Sequence, residues 1–178
     1  FPMHDDMQII RLVQMDKCVK DGQIPCRWVP DLGYGYGYPL YLYYGPFTYY
    51  VMEAFHLTGF SFIDSVKAEI VLTIILSGIG MFLLGKSLWG FGGGLVSAVF
   101  YIYAPYRASD IYSRGALGEV TAFLFLPFIF WSILEYIHHQ KDRYLTFLVF
   151  SLAGLITTHN ITSLIFFPIA SLWGLFLL

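Results

Sequence analysis

The chain has 178 residues, of which 57% are hydrophobic, 20% aromatic and only 12% charged, and its formal net charge is −2. So few polar side chains cannot cover so much apolar material in water, which excludes an ordinary soluble domain and leaves lipid as the solvent. The small net charge and the absence of a long basic run exclude a nucleic-acid partner.

In chain order, residues 1–67 read as an external region and 68–178 as a transmembrane helical region. The chain opens on Phe1 and stops within an apolar run at Leu178, as expected of an internal piece of a longer polytopic protein. His4, Asp5 and Asp6 in "HDDMQ" form a group able to hold a divalent metal through oxygen or to take a proton from a hydroxyl; the bland alternative is a solvated acidic pair. Cys18 and Cys26 fit neither a CxxC redox motif nor paired zinc ligands. A disulfide is open to them, and two free thiols are the expectation.

"DLGYGYGYPLYLYYGP" alternates glycine with tyrosine and then runs into Pro39. A dinucleotide loop needs a strand before it and a helix after it, so this is no nucleotide site. It reads as an ordered loop whose phenols rest at the bilayer boundary, either as an anchor alone or as part of the grip on a lipid-linked substrate. Pro39–Leu57 has the length of a span but carries Glu53, His56 and many tyrosines. It reads instead as an interfacial helix, with Pro46 as its first residue.

Five apolar segments are long enough, or nearly so, to cross as helices: Ala68–Gly85, Trp89–Ala104, Val120–Ile137, Tyr144–Thr158 and Ile161–Leu178. Glu69 and Glu135 fall near segment ends, so the spans read as scaffold without mid-depth charge. The glycines of "WGFGGG" read as close helix packing. Five crossings place residues 1–67, the loop Pro105–Glu119 and the His159–Asn160 link on one face. Lys86, Lys141 and Arg143 share the other, which the basic-loop rule assigns to the cytoplasm.

The second polar cluster is "APYRASDIYSRGALGE". Arg107 and Arg114 have the forked geometry for a phosphate, with Asp110 and Glu119 to orient them; an internal ion-pair network is the alternative. His159 adds a third polar point, with a helix-end role as its plain alternative.

"HDDMQIIRL", "DGQIPCRWVPDLGYGYGYPLYLYYGP" and "YAPYRASDIYSRGALGE", followed by "LPFIFW", resemble in order and spacing the bacterial YfhO-like membrane proteins, including those labelled 6-pyruvoyl-tetrahydropterin synthase-related. The histidine spacing for the zinc of a pterin synthase is missing, so that label implies nothing here. The resemblance implies an all-α polytopic bundle of the GT-C glycosyltransferase class, using a polyprenyl-phosphate-linked sugar on the external face of the plasma membrane. By it Asp5 and Asp6 are the acidic catalytic motif, with Mg or Mn as an optional ligand. Arg107, Asp110, Arg114, Glu119 and His159 are then the substrate-binding set. A complete GT-C protein has a span before Phe1 and more chain after Leu178. A lipid or sugar transporter and a non-catalytic protein that presents a lipid-linked sugar are the rival expectations. The transporter is disfavoured by the lack of an internal repeat or mid-span charge.

Overall fold

A computed structural model describes His4 to Leu178; Phe1 to Met3, the start of the first predicted region, lie outside the described residues. The described chain is helical: α1 Gln8–Lys20, α2 Leu40–Tyr43, α3 Phe47–Leu57, α4 Phe62–Ile102, α5 Pro105–Ser109, a π turn Asp110–Arg114, α6 Leu117–His139, α7 Asp142–Thr158 and α8 Asn160–Leu177. Each predicted apolar segment falls on helix. The 62–114 stretch, α6 and α8 are long and apolar enough to cross a membrane. α7 is apolar but shorter, about 25 Å for its 17 residues.

α4 is two arms. Ser61 caps its start by accepting the Asp64 N–H, and Gly90 interrupts it at φ 76°, ψ −174°, a conformation open to glycine. The arms fold back on each other: a Cβ on Gly85 would strike Ser97 and one on Gly78 would strike Ile102; of the "WGFGGG" glycines expected to pack, Gly94 does so, a Cβ there lying 2.8 Å from the Phe82 carbonyl oxygen, whereas Gly90 makes the turn and Gly92 has nothing within 4 Å. Arm 91–102 has twelve residues, about 18 Å of helix, against a hydrocarbon core of about 30 Å. α5 and the π turn complete the climb back to Leu117. The expected external loop at Pro105–Glu119 is therefore helical and starts beside Ile102, facing Gly78 rather than the top of α4.

α6 is the central helix, packed on α4, α7 and α8 around Ala122, Phe125, Leu126, Ile129, Leu155 and Ala170. Glu69, completely buried two turns into α4, ties α4 to α6: its Oε1 lies 2.5 Å from the Thr121 hydroxyl and 2.9 Å from that of Thr73. Val71, Ile75, Phe100, Phe150 and Leu172 remain exposed along the outside, as lipid-facing positions do. At one end Ser87 bonds Glu135 and His139 pairs with it. At the other end, α1 to α3 form a cap.

The cap has its own core of Leu12, Met15, Val29, Tyr41, Tyr49 and Met52, which reaches Leu117 at the start of α6. Cys18 and Cys26 are bonded, contrary to the expected free thiols: the turn after α1 brings their Cα atoms to 5.5 Å, within disulfide range. The Gly-Tyr loop is ordered, closed by a Val29–Tyr38 bridge, with Tyr34 and Tyr36 outward. Gly37 has φ 85° and lies against the Trp28 indole. Pro46 is the N-cap of α3 rather than its first residue.

Glu53 on α3 is buried beside Asp16, whose other neighbours are Lys20 at 2.8 Å and His56 at 3.8 Å. Burial pushes the Glu53 carboxyl up to about 7, and Asp16 adds to this against His56 and Lys20. Folded protein then keeps a proton that the unfolded chain releases near 4.5. The associated stability is complete below that value and is lost as pH rises through about 7. Thermal unfolding of the detergent-solubilised protein should show a midpoint that falls across this window, and Glu53→Gln should flatten the fall; an identical slope in the variant contradicts the assignment. A second prediction concerns cap docking. A Cβ on Gly45 would lie 2.0 Å from the Thr158 carbonyl oxygen, whereas one on Gly92 meets nothing within 4 Å. Gly45→Ala should cost about 1–3 kcal/mol and Gly92→Ala should cost nothing measurable; equal midpoints for the two variants contradict this packing.

Candidate functional site

The two polar clusters meet at the capped end of the bundle. His4 N–H donates to Ser113 O at 2.9 Å and Asp5 N–H to Arg114 O at 3.0 Å, so the acidic motif lies against the π turn. Gln8 fastens the junction: its Nε2 donates to Gly115 O at 2.7 Å and to Asp5 Oδ2 at 2.9 Å, and its Oε1 accepts from the Tyr49 hydroxyl at 2.6 Å. Gly115, in the left-handed region at φ 66°, ends the turn and presents that carbonyl.

Asp5 is committed. Arg11 Nη1 donates to its Oδ2 at 2.7 Å, and the guanidinium lies over the Tyr44 ring at 4.5 Å. Burial alone lowers the Arg11 pKa, but Tyr49, the Asp5 hydrogen bond and Tyr44 outweigh it and hold the group above its usual range. A divalent ion on that Asp5 oxygen would face a guanidinium at hydrogen-bond distance. Among the described residues no three His, Cys, Asp or Glu side chains gather as metal ligands. With Asp5 Oδ2 already taken by Arg11 and Gln8, no step below passes through the expected Mg or Mn. Asp6 beside it is exposed.

Arg114 is the hub of the second cluster. Its Nη1 lies 2.5 Å from Asp110 Oδ1, 2.9 Å from Glu119 Oε2 and 2.9 Å from the Tyr106 hydroxyl, which itself donates to Glu119 Oε1 at 2.7 Å. Asp110 is fully buried, while the Arg114 side chain is 47% exposed. The expected ion-pair network is therefore present, and it leaves much of the guanidinium open.

Arg114, Glu119, Tyr106 and His159 form the polar end of a cavity of about 530 Å³ between α6 and α8; Phe123, Ile165 and Phe166 form its apolar remainder. His159 caps α8. Its Nδ1 accepts the Thr162 N–H at 3.3 Å and lies 2.7 Å from the Thr162 hydroxyl, which leaves the ring proton on Nε2. Burial holds His159 below its ordinary pKa, with Arg114 adding to the effect against Glu119 and Asp110. The helix-end role and the cavity-lining role thus coincide in one residue.

Arg107 is not part of this cavity. Its side chain turns toward α4, where Nη1 donates to the Ser77 hydroxyl at 2.8 Å, between the Tyr101 and Phe123 rings. The two arginines expected to share one phosphate line different cavities. With Ser77 midway along the first arm of α4, Arg107 also supplies the mid-depth charge that the sequence did not suggest. Gln8 and Arg11 lie within "HDDMQIIRL", but nothing in that motif marked them as links, and Tyr49 lies outside the quoted motifs; the apolar spacing of Leu12, Met15 and Val19 marks α1.

The chain is similar to an uncharacterized protein of Lactococcus lactis subsp. cremoris (strain MG1363), with 24% identity over 173 residues, covering 94% of this chain. It spans 28% of the length of that relative. No family model matches the chain, and no solved structure does.

Proposed function

We propose that the chain is part of a multi-pass plasma-membrane glycosyltransferase of GT-C type, as its resemblance to the YfhO-like proteins implies. In this reading the chain crosses five times and transfers a sugar from a polyprenyl-phosphate donor on the external face. The observation that carries it is the graded cavity between α6 and α8, with Arg114, Tyr106 and His159 at the capped end and Phe123, Ile165 and Phe166 below. Such a wall suits an amphiphile with a phosphate head and an apolar tail. The external assignment is supported by the Cys18–Cys26 bond in the cap, which suits an oxidising compartment. Lys86, Lys141 and Arg143 near the opposite end support it too.

In the reaction, the acceptor hydroxyl oxygen attacks the anomeric carbon, and the bond from that carbon to the phosphate oxygen breaks with its electron pair on phosphate. Asp6, exposed at the junction, takes the hydroxyl proton, while Asp5, held by Arg11 and Gln8, positions the segment. Arg114 stabilises the departing phosphate, with Asp110 and Glu119 orienting its guanidinium.

A transporter is the second reading. It is favoured by Glu69, buried on α4, and by Arg107, buried against Ser77 of α4. The two separate in membranes holding the complete protein and a radiolabelled polyprenyl-phosphate hexose. Asp6→Asn should lower transfer at least about 100-fold while the donor is still retained, and Arg114→Lys should weaken donor retention by losing the planar fork. Undiminished transfer in the Asp5→Asn, Asp6→Asn double variant contradicts the proposed chemistry. Donor retention or translocation without any transfer by the unmodified protein favours the presenting or transporting reading.

A further inference from the structure

Beside the graded cavity lies a smaller one of about 160 Å³, whose walls include Tyr43, Tyr44, His159 and Asn160. The two cavities share His159 and Ile161. Tyr44 carries the Arg11 guanidinium over its ring at 4.5 Å and accepts from Arg11 Nη1 at 3.3 Å, and the same Nη1 holds Asp5 at 2.7 Å. The small cavity therefore adjoins both polar clusters: the acidic motif through Tyr44 and Arg11, and the Arg114 cavity through His159.

The polar atoms of its wall have their roles set by their other bonds. His159 spends Nδ1 on Thr162, so Nε2–H is the donor that remains, and it has no partner among the described residues. Asn160 Nδ2 donates to the Tyr43 carbonyl at 3.2 Å, which leaves Oδ1 as an acceptor. Tyr43 beside them is 72% exposed. A phenol ring, an amide oxygen and an imidazole N–H suit the C–H face and the hydroxyls of a sugar, and the cavity has room for a single pyranose ring. We propose that this small cavity is the sugar subsite of the lipid-linked donor, with Tyr43 and Asn160 as its specificity-determining residues. The assignment rests on the glycosyltransferase reading, in which the anomeric carbon has to lie between the acceptor hydroxyl and the phosphate on Arg114; a cavity that adjoins both clusters meets that requirement. His159 Nε2–H then donates to a sugar oxygen at the shared wall, while Arg114 keeps the phosphate.

The test loads the complete protein in nanodiscs with radiolabelled polyprenyl phosphate and displaces the label with unlabelled carrier bearing glucose, galactose, mannose or no sugar. At least one hexosyl form should displace the label at roughly a tenth of the concentration that the bare carrier needs. The Tyr43→Ala, Asn160→Ala double variant should bring the two concentrations together, whereas Arg114→Gln should raise both and keep their ratio. Tyr43→Leu keeps the bulk, loses the aromatic face and should narrow the ratio even if the double variant fails to fold. Equal displacement by every form in the unmodified protein, or an unchanged ratio in either Tyr43 variant that folds, overturns the subsite. Transfer, read in membranes as above, separates the two claims: a sugar-dependent ratio without transfer removes the chemistry and leaves the subsite to a presenting protein, and transfer without such a ratio removes the subsite and leaves the chemistry.

Discussion

The structure depends on one constraint: backbone and charge at membrane depth must find their partners inside the protein. Arm 91–102 is too short to reach the cap as regular helix, so the chain finishes the climb through α5 and the π turn, carrying Arg107, Asp110 and Arg114 with it. Each is accommodated differently. Asp110 is buried against Arg114, Arg114 is shared with Glu119, and Arg107 turns to Ser77 and two aromatic rings. A polar segment in this place would be untenable without α6 on one side and the cap above it.

The cap supplies that cover. Gln8 bonds the carbonyl of Gly115, the His4 and Asp5 amides bond the π turn, and Gly45 admits the end of α7 at a distance no side chain would allow. The same contacts hold the acidic motif against the π turn that bears Arg114. Stability and site geometry therefore share residues: loosening the cap would move Asp5 and Asp6 away from Arg114 as well as expose Leu117.

The apolar segments were legible because long runs of Leu, Ile, Phe and Val admit few folds other than helices in lipid. The ordered Gly-Tyr loop was legible because its glycines allow backbone shapes closed to other residues; Gly33, Gly35 and Gly37 all have positive φ. "HDDMQ" and "YRASDIYSRGALGE" do share one end, joined by the His4 and Asp5 amides on the π turn. The depth of Arg107 was not legible, because its turn toward Ser77 depends on where arm 91–102 ends in space rather than on any local pattern. The Cys18–Cys26 bond escaped for a similar reason: a spacing of eight has no signature until the turn after α1 closes. Glu69 looked like an end residue because the start of α4 at Phe62, well before the apolar run, is set by Ser61 and the cap.

The central claim is that the cap and its polar junction lie outside the membrane, with the Lys86–Gln140 end inside. Tyr36→Cys and Gln140→Cys, made singly, test it with a membrane-impermeant maleimide on intact cells, where the bonded Cys18 and Cys26 stay silent. Labelling of Tyr36→Cys on intact cells, with Gln140→Cys reacting only after permeabilisation, is the expected result. Labelling of both from the same side, or of Gln140→Cys alone from outside, would contradict the account.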